Sequence, residues 1–366
     1  MQLPDFPWDT LAAAAARARS HPGGIVDLSV GTPVDPTPQV VQDALRAAAD
    51  APGYPQTWGT PALREAVARW FARRRGVPDV DPDAVLPTVG SKELVAWLPT
   101  LLELGAGDVV VHPEVAYPTY DVGARIAGAT PVAADGTAQL GPATTGGRVR
   151  LLWVNSPSNP TGRVLGVEHL AKVVAWARSR GVIVASDECY AELGWDGQEV
   201  PSILDPRVCG GSHEGLLAVY SLSKQSNLAG YRAAFVAGDR DLVGRLLAIR
   251  KHAGMIVPWP VQQAMIAALD DDAHVAQQRQ RYADRREPLL GALKDAGFRV
   301  DESRAGLYLW ATRDEPAAVT VDALADRGIL VAPGSFYGVA GVRHVRVALT
   351  ATDERVAEAV RRLSAA

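Results

Sequence analysis

The chain has 366 residues, 48% of them hydrophobic and 21% charged, a composition that describes a well-cored globular protein larger than one typical domain. A formal net charge of −4 leaves no basic footprint for nucleic acid, and two cysteines, Cys189 and Cys209, are too few for a disulfide framework. The start, Met1-Gln2-Leu3-Pro4-Asp5-Phe6-Pro7, lacks the basic and apolar segments of a signal peptide, and no uncharged apolar run approaches the roughly 20 residues that span a bilayer. A cytoplasmic protein without membrane contact is therefore expected.

The first fifty residues, rich in proline and glycine around Gly31-Thr32-Pro33-Val34-Asp35-Pro36, read as irregular. Leu63, Ala66, Val67, Trp70 and Phe71 then recur at helical spacing, and Arg73-Arg74-Arg75 before Gly76 reads as the last turn and cap of that helix. The turn Val89-Gly90-Ser91-Lys92-Glu93 opens a helical run from Leu94 to Leu102. Strands are expected at Val109–Val111, Leu151–Val154, Val182–Ala185, Leu216–Tyr220 and Ala234–Ala237, with a crossover helix from Val167 to Arg180 ended by Gly181. This alternation predicts a doubly wound α/β domain, a mostly parallel sheet with helices on both faces. After about residue 260 the pattern changes to a long polar helix through Gln277-Gln278-Arg279-Gln280-Arg281, then to β-like pieces at Leu307–Trp310 and Val345–Ala348. The expected division is a large domain over 48–262 and a smaller α+β domain over 1–47 and 263–366, built from both termini and including the interdomain helix.

In open α/β sheets ligands bind beyond the carboxyl ends of the strands. The second expected strand is followed by Asn155-Ser156-Pro157-Ser158-Asn159-Pro160-Thr161-Gly162, the third by Ser186-Asp187-Glu188-Cys189-Tyr190, and the fourth by Ser221-Leu222-Ser223-Lys224 with Arg232 eight residues on. Each residue has an ordinary reading: a solvated lysine, an aspartate cap, a turn asparagine, a half-buried tyrosine. Jointly they suit pyridoxal phosphate. A partly desolvated Lys224 could hold its carbonyl covalently, with Ser221, Ser223 and Arg232 near its phosphate. A pyridine ring used as an electron sink needs a carboxylate at its ring nitrogen, and Asp187, ending an apolar strand, is the natural choice. Asn159 and Tyr190 fit the phenolic oxygen by type and position. Ser91 and Lys92, at a helix start, can offer donors to the phosphate, although the spacing of a P-loop is absent. Tyr117, after the strand Val109–Val111, could stack on the ring or simply pack.

On these residues the chain resembles a class I/II aminotransferase of PLP fold type I. The resemblance spans nearly the whole sequence, through Gly31-Thr32-Pro33, Gly53-Tyr54-Pro55 with Gly59-Thr60-Pro61-Ala62-Leu63-Arg64, Asn159-Pro160-Thr161-Gly162, Asp187-Glu188-Cys189-Tyr190, Ser221-Leu222-Ser223-Lys224 to Arg232, and His344-Val345-Arg346. It implies that Lys224 forms the Schiff base and moves protons, that Asp187 pairs with the pyridine nitrogen, and that Asn159 and Tyr190 hold the phenolic oxygen. It further implies that Ser91, Lys92, Ser221, Ser223 and Arg232 take the phosphate. Arg346, assisted by the Gly31 backbone, would clamp the substrate α-carboxylate in a fork that lysine cannot reproduce. Tyr54 would reach the phosphate of a neighbouring subunit, making a homodimer with shared active sites the active unit.

Within that family the chain is similar to the succinyldiaminopimelate transaminases of the actinobacterial type, through Phe6-Pro7-Trp8-Asp9-Thr10-Leu11, Gly24 to Pro36 and Ala51-Pro52-Gly53-Tyr54-Pro55. That subgroup implies a ping-pong exchange between glutamate and N-succinyl-2-amino-6-oxopimelate in lysine biosynthesis. Other amino and oxo acids remain open: an unacylated diaminopimelate precursor, aspartate or an aromatic acid. So does a related β C-S lyase. A regulator built on this fold carries an N-terminal winged helix and a linker, for which there is no room before Gly31.

Overall fold

The computed structural model describes residues 3–4, 7–137, 140 and 146–365, so Met1, Gln2, Asp5 and Phe6 of the N-terminal reading lie outside the described residues. Among the described residues there are thirteen strands, β1 to β13 in chain order. The first, β1 (Val26–Asp27), belongs to the N-terminal segment. Seven build the large sheet: β2 (Val85–Val89), β3 (Asp108–His112), β4 (Thr130–Ala133), β5 (Arg148–Asn155), β6 (Ile183–Asp187), β7 (Leu216–Ser221) and β8 (Ala233–Gly238). Their order is β2-β8-β7-β6-β5-β3-β4. Pairing is parallel from β7 through β6, β5 and β3 to β4, while β8 runs antiparallel to both β7 and β2. The domain is thus α/β with a mixed, mostly parallel sheet. Strands β7 and β8 are buried along their whole length, as expected where helices cover both faces, and this explains their unbroken apolar runs.

The two strands of this sheet not expected from sequence, β2 and β4, are its edges. Each carries a proline, Pro87 and Pro131, which cannot donate to a ladder and is tolerated at an edge. The helix Pro61–Arg75 begins where Thr60 Oγ1 accepts from Leu63 N at 3.1 Å and ends at Gly76, whose φ of 66° is left-handed. The crossover helix runs over Val167–Arg178, two residues shorter than expected.

The last five strands are β9 (Arg299–Asp301), β10 (Tyr308–Thr312), β11 (Ile329–Leu330), β12 (Ala332–Pro333) and β13 (Val345–Ala348). Four form an antiparallel sheet, β12-β13-β10-β9, and β11 pairs in parallel with β1. The N-terminal fifty residues are more regular than their composition suggests. Helices cover Ala12–Arg19 and Gln39–Ala47. Leu11, Ala14, Ala18, Val26 and Leu28 pack into the core of the smaller domain. Val41, and Ala264, Met265 and Leu269 of the helix Trp259–Asp270, pack instead into the core of the large domain. The packing of the large domain therefore reaches past residues 48 and 262. The long polar helix is Asp272–Asp295.

Candidate active site

The carboxyl ends of β5, β6 and β7 open onto one cavity of about 700 Å³. Asn155 and Asp187 stand opposite each other in the register of β5 and β6. The Asn155 amide donates to the Asp187 carbonyl at 3.0 Å, and its Oδ1 accepts from Asn159 N at 2.8 Å, which fixes the 155–162 loop against the end of β6. Asp187 itself is buried. Tyr120 Oη donates to its Oδ2 at 2.8 Å and Cys189 N to its Oδ1 at 3.2 Å. Burial pushes this carboxyl above its ordinary value, and hydrogen bonding from Cys189 and Tyr120 opposes the rise.

Lys224 follows β7 and lines the same cavity. Its amine donates to the Gly31 carbonyl. Burial holds the amine below its ordinary value, Tyr308 and Cys189 oppose this, and Arg346 and Arg232 add to it. Ser221 and Ser223 are buried beside it, with Oγ to Oγ 2.8 Å. Across from them, the helix Ser91–Leu101 starts after Gly90, whose φ is 78°. A Cβ on Gly90 would lie 2.1 Å from a terminal nitrogen of Arg232, so the glycine is what lets the guanidinium lie against this helix start. Lys92 also lines the cavity, its Nζ 6.0 Å from the Tyr117 ring centroid.

Arg346, on β13, is 2% exposed. It donates to Asn159 Oδ1 at 2.9 Å and to the Ser29 carbonyl at 2.6 Å, and its guanidinium carbon sits 4.0 Å from the Tyr308 ring centroid. Tyr190 Oη lies 3.1 Å from Tyr308 Oη. At Gly31 a Cβ would fall 2.1 Å from the Tyr308 hydroxyl, so this position admits only glycine without displacing that ring.

All the expected site residues except Tyr54 line this one cavity. Tyr54 is 100% exposed and stands outside it. Tyr120, Tyr308 and Trp8 line it without having been expected. The signal for Tyr120 was its spacing: three residues after Tyr117, it lies one turn away on the helix Thr119–Ile126 that follows β3. Tyr308 and Trp8 carried no local signal, because a tyrosine inside a strand and a tryptophan near a terminus read as packing.

These residues fit pyridoxal phosphate. The oxygens of Asp187 meet no cation among the described residues, so a protonated ring nitrogen would supply the missing sign. Asn159 Nδ2, in a residue lining the cavity, is a donor left over for a phenolic oxygen once Oδ1 has accepted from Arg346. The helix start at Ser91, two serine hydroxyls and Arg232 can converge on a phosphate. No group of three or more His, Cys, Asp or Glu among the described residues could hold a metal ion, and no helix among them is long and apolar enough to cross a membrane.

Comparison with known proteins agrees with this chemistry. The family model for aminotransferase class I and II matches residues 24–363. The chain is 66% identical to a probable aminotransferase of Mycobacterium tuberculosis, over 99% of this chain and 85% of that one. It is 60% identical to the 4-dedimethylamino-4-oxo-anhydrotetracycline transaminase OxyQ of Streptomyces rimosus, over 99% of both. An LL-diaminopimelate aminotransferase of Gloeobacter violaceus is 36% identical over 93% of this chain and 91% of its own. Among solved structures, a probable N-succinyldiaminopimelate aminotransferase from Thermus thermophilus superimposes with a TM-score of 0.88 at 29% identity, over 98% of this chain and 99% of that one.

Proposed function

The chain belongs to the class I and II aminotransferases, a family dependent on pyridoxal phosphate, and on that footing we propose that it exchanges an amino group between glutamate and N-succinyl-2-amino-6-oxopimelate. The observation that carries an amino-acid substrate is Arg346, a buried planar guanidinium held by Asn159 and Ser29 in the same cavity as the Lys224 amine. Its fork is the shape that recognises an α-carboxylate. The diaminopimelate chemistry is supported by the likeness to the Gloeobacter and Thermus proteins named for it.

When bound, pyridoxal phosphate supplies the electron sink that allows the C–H bond at a substrate α-carbon to break. The rest of the work falls to the chain. Arg346 orients the substrate by its carboxylate, which sets the α-hydrogen towards Lys224. The Lys224 amine, kept low in proton affinity by burial, takes and returns that proton as a general base and acid. Asp187, held by Tyr120, stabilises positive charge at the ring nitrogen. Ser91, Lys92, Ser221, Ser223 and Arg232 bind the phosphate, and Asn159 and Tyr190 serve the phenolic side. Tyr54, wholly exposed on its own chain, would serve the phosphate site of a second copy in a homodimer.

A second reading takes the oxo acceptor to be a ring-bearing ketone, as the name of the 60% identical OxyQ indicates for that protein. The observation favouring it is the aromatic lining, Trp8, Tyr117 and Tyr308, in a cavity whose lining cations are Lys92, Lys224, Arg232 and Arg346. A panel of amino donors and oxo acceptors, scored by conversion of bound cofactor to its amine form and back, tests both. Failure of N-succinyldiaminopimelate to react while aspartate or a polycyclic ketone reacts well would overturn the first reading. If borohydride still fixes the cofactor covalently to the chain in Lys224→Ala, the lysine assignment is wrong.

A further inference from the structure

One face of the long helix Asp272–Asp295 grips the lysine-bearing loop and the N-terminal segment at once. Gln278 is 3% exposed, and its amide is used at both ends. Its Oε1 accepts from Asn227 Nδ2 at 2.9 Å, and its Nε2 donates to Asp35 Oδ2 at 2.7 Å. Asn227 lies three residues after Lys224 at a left-handed φ of 54°, and the same Nδ2 also donates to the Pro36 carbonyl at 3.1 Å. One turn along the helix, Tyr282 Oη donates to the Lys224 carbonyl at 3.3 Å. Further on, Arg285 clasps both oxygens of Asp35, at 2.6 and 2.8 Å, and donates to Asp353 at 2.7 Å. Burial alone would raise the Asp35 carboxyl, but hydrogen bonds from Arg285 and Gln278 outweigh it and keep the group below its ordinary value.

The segment that Asp35 anchors is the one that meets the site. Over three successive residues its backbone accepts from Arg346 at Ser29, from Thr350 at Val30 and from the Lys224 amine at Gly31. The segment and the lysine loop are far apart in sequence, and each is irregular backbone with little ladder of its own to fix it. A glutamine is suited to joining them, because its uncharged amide can accept from one and donate to the other without burying a net charge.

We propose that Gln278 and Arg285 are positioning residues, which through Asn227 and Asp35 lock the Lys224 loop and the Gly31 segment to one helix and so set the lysine amine against the Gly31 carbonyl. This rests on Lys224 being the reactive lysine. Neither residue touches the cavity, so their effect is on where the amine sits rather than on what it does.

The test uses the full-length protein with and without cofactor, and three variants: Gln278→Leu, Gln278→Glu, and Gln278→Glu combined with Asp35→Asn. Hydrogen exchange is followed over residues 29–37 and 222–228, together with the pH dependence of the bound cofactor's absorbance and steady-state kinetics. Gln278→Leu should raise exchange in both segments, shift the absorbance midpoint and lower kcat about tenfold, with KM for glutamate changed less than threefold. Gln278→Glu keeps the Asn227 bond but faces Asp35 with like charge, so exchange should rise chiefly over 29–37. The double variant restores a donor opposite the new carboxylate but gives up one of the two Arg285 contacts to residue 35, so it should recover the midpoint and kcat only in part. The proposal is overturned if Gln278→Leu leaves exchange and midpoint unchanged, if exchange rises evenly across the chain, or if the double variant is no better than Gln278→Glu alone. Failure of the Lys224 assignment would be seen separately, as cofactor still trapped covalently on the chain by borohydride in Lys224→Ala.

Discussion

The Tyr120 hydroxyl donates a 2.8 Å hydrogen bond to Oδ2 of Asp187, and both residues are buried and line the cavity. The tyrosine comes from the helix after β3 and the aspartate from the end of β6, so the bond ties two elements through the residue expected to meet the cofactor ring nitrogen. A hydrogen bond to a charged group contributes about 1.5–3 kcal/mol, more than an ordinary one.

Tyr120→Phe removes that donor without changing the size of the ring. Asp187, already pushed up by burial, loses one of the two groups that oppose the rise, so its carboxyl should climb further. Affinity for pyridoxal phosphate, measured by titrating apoprotein, should fall about tenfold or more, and kcat with it. Unchanged affinity would mean that Cys189 alone holds the carboxylate in place.

Arg346→Lys keeps the charge and loses the fork. A lysine there cannot reach both Asn159 and Ser29 and still meet a carboxylate side-on. For glutamate as donor, kcat/KM should fall about 30- to 1,000-fold, a loss of about 2–4 kcal/mol in transition-state binding. A neutral ketone acceptor without a carboxylate should lose far less in its own half-reaction. That comparison also separates the two substrate readings.

Gly90→Ala places a methyl where the Arg232 guanidinium lies, at a backbone φ of 78° that alanine resists. The arginine must move away from the helix start. Cofactor binding should weaken by at least tenfold, whereas Gly76→Ala, a left-handed cap with open space around it, should cost stability and leave cofactor affinity alone. Paired titrations of the two variants check this.

Lys224 links the site to pH. Its folded proton affinity is below the ordinary value of 10.5, so between the two values the unfolded chain binds more protons than the folded one. Stability of the apoprotein should therefore rise with pH through that window as the charged, half-buried amine is relieved. Lys224→Met should flatten this rise and be more stable than the parent at neutral pH. Urea unfolding of both apoproteins from pH 7 to 10 measures it, and parallel curves would refute it.

How much of this was legible in sequence follows from where each signal is stored. Asn159, Asp187 and Lys224 each end or closely follow an apolar strand, so local pattern and chain order were enough to place them together at the carboxyl ends of neighbouring strands. The prolines that hid β2 and β4 are tolerated because those strands lie at the edges, and edge position is a property of the sheet, not of the strand. The N-terminal segment looked irregular because its order comes from partners up to 338 residues away, such as Arg362 donating to the Gly24 carbonyl.

The sequence by itself determined a mostly parallel α/β core with a lysine, an aspartate and an asparagine at successive strand ends, because strand periodicity and the residue after each strand are local facts. Only the tertiary structure decided how those groups are held. Tyr120 under Asp187, Tyr308 against Arg346, and Gln278 between Asn227 and Asp35 are contacts across elements. Their strength comes from burial, and burial is produced by packing distant segments together rather than by the order of residues along any one of them.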